Sequence, residues 1–146
     1  MSGGQTGVGL GGLVGAKRIG IKTGGVAPQG YRTEVREQSK ALKEFGLSEH
    51  QSSDYKCKTI ENVISSDATL VVAVDVNSNG TCLTIHYCEE FRKPYLVIKS
   101  SLDCVFEVQS FVEKYRLNVL NIAGNRKSVS KGIASKTAAI IQAVFE

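Results

Sequence analysis

The chain has 146 residues, 42% of them hydrophobic and 22% charged, with a net charge of +4. That length suits one domain with a full core, and the balance is that of a soluble globular protein, read here as cytoplasmic. No apolar run approaches the roughly 18 residues that span a bilayer, and the first residues lack the charge and apolar run of a signal peptide. The basic residues are dispersed apart from Arg126, Lys127 and Lys131, so neither nucleic acid nor a membrane is expected as a partner. Cys57, Cys82, Cys88 and Cys104 show no C-x-x-C spacing and no histidine at zinc-finger distance, so no metal site is expected.

The start, Ser2-Gly3-Gly4-Gln5-Thr6-Gly7-Val8, opens a helical run predicted over Val8 to Ile19. Glycine lets a backbone approach a ligand, and a helix N-terminus presents unpaired N–H groups and a positive dipole end. Together they form an anion cradle, most often for phosphate. It is neither a Walker A loop nor G-x-G-x-x-G. Such a loop usually follows a strand, yet only Met1 and Ser2 precede it. The expected first strand is nearly missing, or is supplied by another copy of the chain. Gly9, Gly11, Gly12 and Gly15 weaken the helix and imply close packing on a sheet or on a second copy.

Ile21-Lys22-Thr23 is a strand candidate, broken by Gly24-Gly25. Pro28-Gln29-Gly30 reads as a turn, Val35 to Phe45 as a helix closed by Gly46, and Leu47 to Ser53 as a loop. Asp54 is placed to cap a helix from Tyr55 to Ser65. Ala68 to Val74 is a continuous apolar, β-branched run, the clearest buried strand. A polar loop, Asp75 to Gly80, leads to a helix from Thr81 to Phe91 that Lys93-Pro94 stops. A strand over Tyr95 to Ile98, a helix over Val105 to Tyr115, a strand over Val119 to Ala123 and a helix over Lys131 to Phe145 complete the chain.

Alternating strands and helices imply an α/β fold, a Rossmann-like three-layer sandwich with a mainly parallel sheet covered by helices on both faces. One such domain takes residues 1–146. Ligands of these sheets bind at the carboxyl ends of the strands. The loops there are Gly3 to Val8, Gly24 to Glu34, Asp75 to Thr81 and Gly124 to Ser128. They carry Gly3, Gly4, Gln5, Thr6 and Gly7; Gly25, Arg32 and Glu34; Asp75, Ser78, Gly80 and Thr81; and Gly124, Arg126 and Ser128. Lys58 and Asn62 project from the helix before the central strand, and Thr84 from the helix after it. Arginine supplies bidentate phosphate contacts and lysine a point charge, so this set suits a phosphorylated ligand with a polar ring. Asp75 serves equally as a ring or ribose contact or as a plain loop cap. His86 and Glu89-Glu90 read as helix surface, His50 as a solvated loop residue. Cys82 could be a thiol activated at a helix N-terminus or a small packed residue.

The same residues carry a resemblance that covers nearly the whole chain. Ser2 to Val8, Gly24-Gly25 with Pro28, Gly30, Arg32 and Glu34, and Tyr55, Thr59, Asn62 and Val63 come in order. Ser66 to Leu70, Gly80-Thr81 with Thr84, Lys93-Pro94, and Asn118 to Gly124 with Arg126 and Ser128 follow. The chain resembles the family named putative molybdenum (molybdenum cofactor) carrier proteins, within the wider SLOG group that includes the lysine-decarboxylase-like cytokinin-activating enzymes. It departs from the family at Gly9, where an aspartate is usual, at Lys58, where arginine is usual, and at Asn125, where proline is usual.

The resemblance implies a carrier that binds molybdenum cofactor, a pterin with a phosphate tail, or a nucleotide-derived ligand. A receptor or sequestering protein for an ADP-ribose-type signal is the variant that the missing aspartate suggests. The related enzymes cleave the N-glycosidic bond of a nucleoside monophosphate with a glutamate three residues after their Gly-Thr. Thr84 stands there, so the developing oxocarbenium would lack its carboxylate partner and enzymatic action is not favoured. A homo-oligomer is expected from the glycine-rich first helix and the short first strand.

Overall fold

The computed structural model describes residues 1–35 and 38–146. Helices and parallel strands alternate in a Rossmann-like α/β arrangement. In chain order, α1 is Val8–Arg18, β1 Gly25–Ala27, α2 Ser39–Glu44, β2 Leu47–Glu49, α3 Tyr55–Ile64 and β3 Ala68–Val72. Then come α4 Asn79–Glu90, β4 Tyr95–Ile98, α5 Val105–Tyr115, β5 Leu120–Gly124 and α6 Ile133–Phe145. Short 3-10 turns occupy Gln29–Tyr31 and Leu102–Cys104. Among the described residues, no helix is long and apolar enough to cross a membrane.

β3 is central. It pairs in parallel with β4 through Leu70↔Leu96 and with β5 through Leu70↔Ile122, and all five of its residues are buried. β1 and β2 form a second parallel pair, with Val26 opposite Ser48. The first two residues lie between the two sheets. Ile122 N–H donates to Met1 O at 2.8 Å, and Ser2 N–H donates to Gly24 O at 3.0 Å. This minimal bridge, within one chain, stands where a strand before the glycine loop was expected.

Two expectations fail between residues 21 and 53. Ile21-Lys22-Thr23 is not a strand; the strand starts later, at Gly25. Leu47–Glu49, expected as loop, is β2. Both strands have only three residues, too few for a period-2 pattern to declare itself. The expected Val35–Phe45 helix is shorter, Ser39–Glu44, and its residues 36 and 37 lie outside the described residues. Gly46 follows it at φ 81°. Asp54 caps α3 as expected, its Oδ1 accepting Lys56 N–H at 2.9 Å.

The main core joins Leu70, Val72, Ile98 and Ile122 of the sheet to Val8 of α1, Val108 of α5 and Ile133, Ile140, Ile141 and Val144 of α6. A smaller core gathers Leu13, Ala27, Tyr31, Leu42 and Leu47 under the β1–β2 pair. The glycines of α1 account for its position. A Cβ on Gly11 would lie 2.3 Å from Ala134 O, and one on Gly15 would lie 2.7 Å from Ala138 O. A Cβ on Gly12 would meet Ile122 Cγ2 at 2.8 Å. The close packing read from the sequence is therefore against α6 and β5 of the same chain. Intrinsic helix propensity is given up for backbone-to-backbone approach.

This predicts opposite outcomes for two helical glycines. Gly11→Val should force α1 away from α6 and cost about 1–3 kcal/mol, the usual range for overpacking. Gly80→Ala should be neutral or stabilising, because nothing lies within 4 Å of a Cβ there. Thermal unfolding followed by circular dichroism separates the two.

Candidate functional site

The site lies at the carboxyl end of β5, where the loop before α1, the start of α4 and the loop after β5 converge. Gly7 is the pivot of the first loop. It adopts φ 90° as the residue before α1, and a Cβ there would lie 2.4 Å from Asn125 O. Only glycine combines that backbone conformation with that approach. Ser2 pins the other end of the loop: its Oγ accepts Gly4 N–H and donates to Gly9 O, each at 2.9 Å.

A cleft of about 60 Å³ opens between these loops. Of the residues expected at a ligand, Gly3, Gln5, Thr6, Lys58, Gly80, Thr84, Gly124 and Arg126 line it. Tyr55, Thr59 and Gly9 line it as well. Its walls hold two cations and no carboxylate. A Cβ on Gly3 would lie 2.7 Å from Lys58 Nζ, so the ammonium rests directly over the glycine loop. Arg126 stacks on the Tyr55 ring, its Cζ 4.8 Å from the ring centre, and Lys58 Nζ is 5.9 Å from the same ring. Burial, and then the neighbouring positive charge of Arg126, push Lys58 down to about 8. Two cations drawn together at a half-buried position without an acid between them cost free energy in the empty protein. That arrangement is the signature of a site for an anion.

The other expected residues hold the walls rather than line the cleft. A Cβ on Gly4 would meet Leu42 and Leu47, and one on Gly25 would meet Ser2 backbone. Asn62 ties α3 to β1, accepting Val26 N–H at 2.9 Å and donating to Val26 O at 2.8 Å. Asp75 is exposed and accepts Asn77 N–H at 2.9 Å, the plain capping role. Ser78 donates to Thr81 Oγ1 at 2.9 Å. Arg32 presents its carbonyl, which accepts from Gln5 Nε2 at 3.0 Å. Glu34 accepts from Thr6 Oγ1 at 2.5 Å, from Ser128 N–H at 3.0 Å and from the Ser128 hydroxyl. Burial opposes its ionisation, but the hydrogen bonds from Ser128 and Thr6 and the charge of Arg126 outweigh it, and the carboxyl titrates below its usual range.

Asn125 was not among the residues expected at the site, yet it bonds three of them, Asp75, Ser78 and Thr81. It is 1% exposed. Its Oδ1 accepts Val74 N–H at 2.8 Å and Asp75 N–H at 3.0 Å. Its Nδ2 donates to Asp75 O, Ser78 Oγ and Thr81 Oγ1 at 2.8 to 3.1 Å. Its backbone N–H reaches Val72 O at 3.2 Å, and its carbonyl accepts Val8 N–H at 3.0 Å. The signal in the sequence was the departure from proline, which has no N–H to give.

Comparison with known proteins gives the family. The family model described as the circularly permutated YpsA SLOG family matches residues 1–145. The chain belongs to that family. A crystal structure of a putative molybdenum carrier protein from Syntrophus aciditrophicus SB superposes with a TM-score of 0.92 at 31% identity. The match covers 99% of this chain and 92% of that one. No curated protein matches the chain. In this SLOG-family member Gly9 borders the cleft, and a Cβ there would meet Ser2 Oγ at 3.3 Å, tight but placeable. Glycine at this position leaves the cleft wall without a carboxylate. Thr84, where related hydrolases carry glutamate, lines the same cleft and donates its hydroxyl to Gly80 O at 3.0 Å.

Two outcomes follow from these contacts. Asn125→Ala removes the partner of the part-buried N–H groups of Val74 and Asp75 and should cost about 1–3 kcal/mol, read by urea unfolding. The Lys58 shift fixes a pH dependence. Its folded value near 8 lies below its unfolded value, so the unfolded chain binds more protons above that pH. Stability of the empty protein should rise as pH increases through 8, and Lys58→Met should abolish that rise.

Proposed function

We propose that the protein binds a phosphorylated small molecule in the cleft between the Gly3–Gly7 loop, the start of α4 and Arg126. The observation that carries this reading is the pair Lys58 and Arg126, set over glycine backbone with no acid in the wall. Backbone N–H groups, hydroxyls, an ammonium and a guanidinium make a donor set for a tetrahedral oxyanion. The likeness to a protein named a putative molybdenum carrier supports one ligand class, molybdenum cofactor held by its phosphate, or molybdate itself, whose tetrahedral shape matches the same donors. The Tyr55 ring at the cleft wall offers a flat apolar surface beside the anion site. That ring favours a second reading, a nucleotide-derived ligand of the ADP-ribose type that is sequestered as a signal. An N-glycosidase is disfavoured, since Thr84 cannot supply the carboxylate that such chemistry uses. We also propose that the protein works as a homo-oligomer, which light scattering would test.

The deciding experiment is a thermal-shift panel with inorganic phosphate, molybdate, pterin phosphate, nucleoside monophosphates and ADP-ribose. A ligand at 100 times its dissociation constant stabilises by about 2.7 kcal/mol, a readily visible shift. One class should raise the melting temperature, and Arg126→Ala should remove the effect. A panel without any shift would refute the binding reading. Release of free base from a nucleoside monophosphate would replace it with the hydrolase.

A further inference from the structure

Glu34 makes contacts that a bound anion would make. Its carboxylate takes the Thr6 hydroxyl, the Ser128 hydroxyl and the Ser128 N–H, and the charge of Arg126 reaches it. Two hydroxyls, a backbone N–H and a nearby guanidinium at the end of a parallel strand form a nest that phosphate also fits. The carboxylate that fills it comes from an exposed loop residue, next to the buried Thr33. Thr6, by contrast, is a fixed wall, 8% exposed.

A second observation points the same way. Gln5 lies beneath that turn, its Nε2 donating to Arg32 O at 3.0 Å. Both neighbours of Nε2, Arg32 O and Gly3 O, are acceptors, which fixes the amide orientation and turns Oε1 away from them. That Oε1 is buried with no hydrogen-bond partner among the described residues, although Gln5 borders the cleft and is only 7% exposed. An acceptor left in this state is costly, and a donor from a ligand in the cleft relieves it.

We propose that the Thr6–Ser128 nest is a second phosphate subsite, which Glu34 fills until a ligand carrying two linked phosphates displaces it. The inference deepens the binding reading above and rests on it. One phosphate takes Lys58 over Gly3; the other takes the Thr6 hydroxyl and the Ser128 N–H and hydroxyl. Arg126 lines the cleft with Lys58, the two cations sharing the Tyr55 ring, and its charge also reaches Glu34. The ligand class is a diphosphate ester, whether its organic part is a nucleoside or a pterin. A monophosphate fills the first position only and leaves Glu34 where it is.

The test is titration calorimetry with pyrophosphate and with inorganic phosphate on the full chain. The proteins are wild type, Glu34→Ala, and Glu34→Ala combined with Ser128→Ala. Glu34→Ala should raise the affinity for pyrophosphate about tenfold more than that for phosphate. Adding Ser128→Ala should cancel that difference. Equal gains for both anions would mean that only a repelling charge was removed, and would overturn the subsite while leaving the binding reading intact. Weaker pyrophosphate binding in Glu34→Ala would overturn it too, by making Glu34 a ligand contact. If neither anion binds any of the three proteins, the binding reading falls and the subsite with it. Circular dichroism verifies the fold of each variant, and Glu34→Gln replaces Glu34→Ala if the latter is unfolded.

Discussion

The hydrogen bonds of one buried amide, Asn125, hold the cleft together. Its side chain pairs with backbone of the loop after β3 and with two hydroxyls at the start of α4, while its own backbone reaches β3 and α1. Every group it meets is a polar group that would otherwise be stranded at the end of a buried sheet. A side chain with both a donor and an acceptor end is needed, because the partners are N–H groups on one side and oxygens on the other. The loops around the cleft are therefore fixed relative to one another before any ligand arrives, and binding spends little on ordering them.

Electrostatics runs against stability in the same place. Lys58 and Arg126 share the face of Tyr55, and burial already drives the lysine toward its neutral form. The nearby carboxylate, Glu34, is committed to Thr6 and Ser128 instead. The protein carries this repulsion because the rest of the fold, with β3 fully buried and α1 laid against α6, is stable enough to bear it. Strain of this kind at a cleft is what functional sites tend to retain.

Much of the architecture could be read directly from the chain. The β-branched run read as Ala68 to Val74 and the capped helix after Asp54 are strong local signals; the strand ends two residues earlier, at Val72, and the helix one earlier, at Ile64. β1 and β2 were missed because three-residue strands owe their existence to pairing with each other, not to a local pattern. The glycine-rich α1 was legible as a closely packed helix, but its partner was not, since nothing local says which backbone will meet Gly11. Residue types pointed to the loops around the cleft without distinguishing wall from support. Gly3, Lys58 and Arg126 face the cleft, whereas Asn62 and Gly4 hold its surroundings. Asn125 stood out only as a departure from proline, and its role became clear with its burial, 1% exposed.

The close approach of Gly7 to Asn125 O joins the two glycine-bearing loops of the cleft. A side chain at Gly7 would press on the loop after β5 as well as strain its own backbone. The shape of the cleft is thus a property of the pair of loops, and neither can be altered alone.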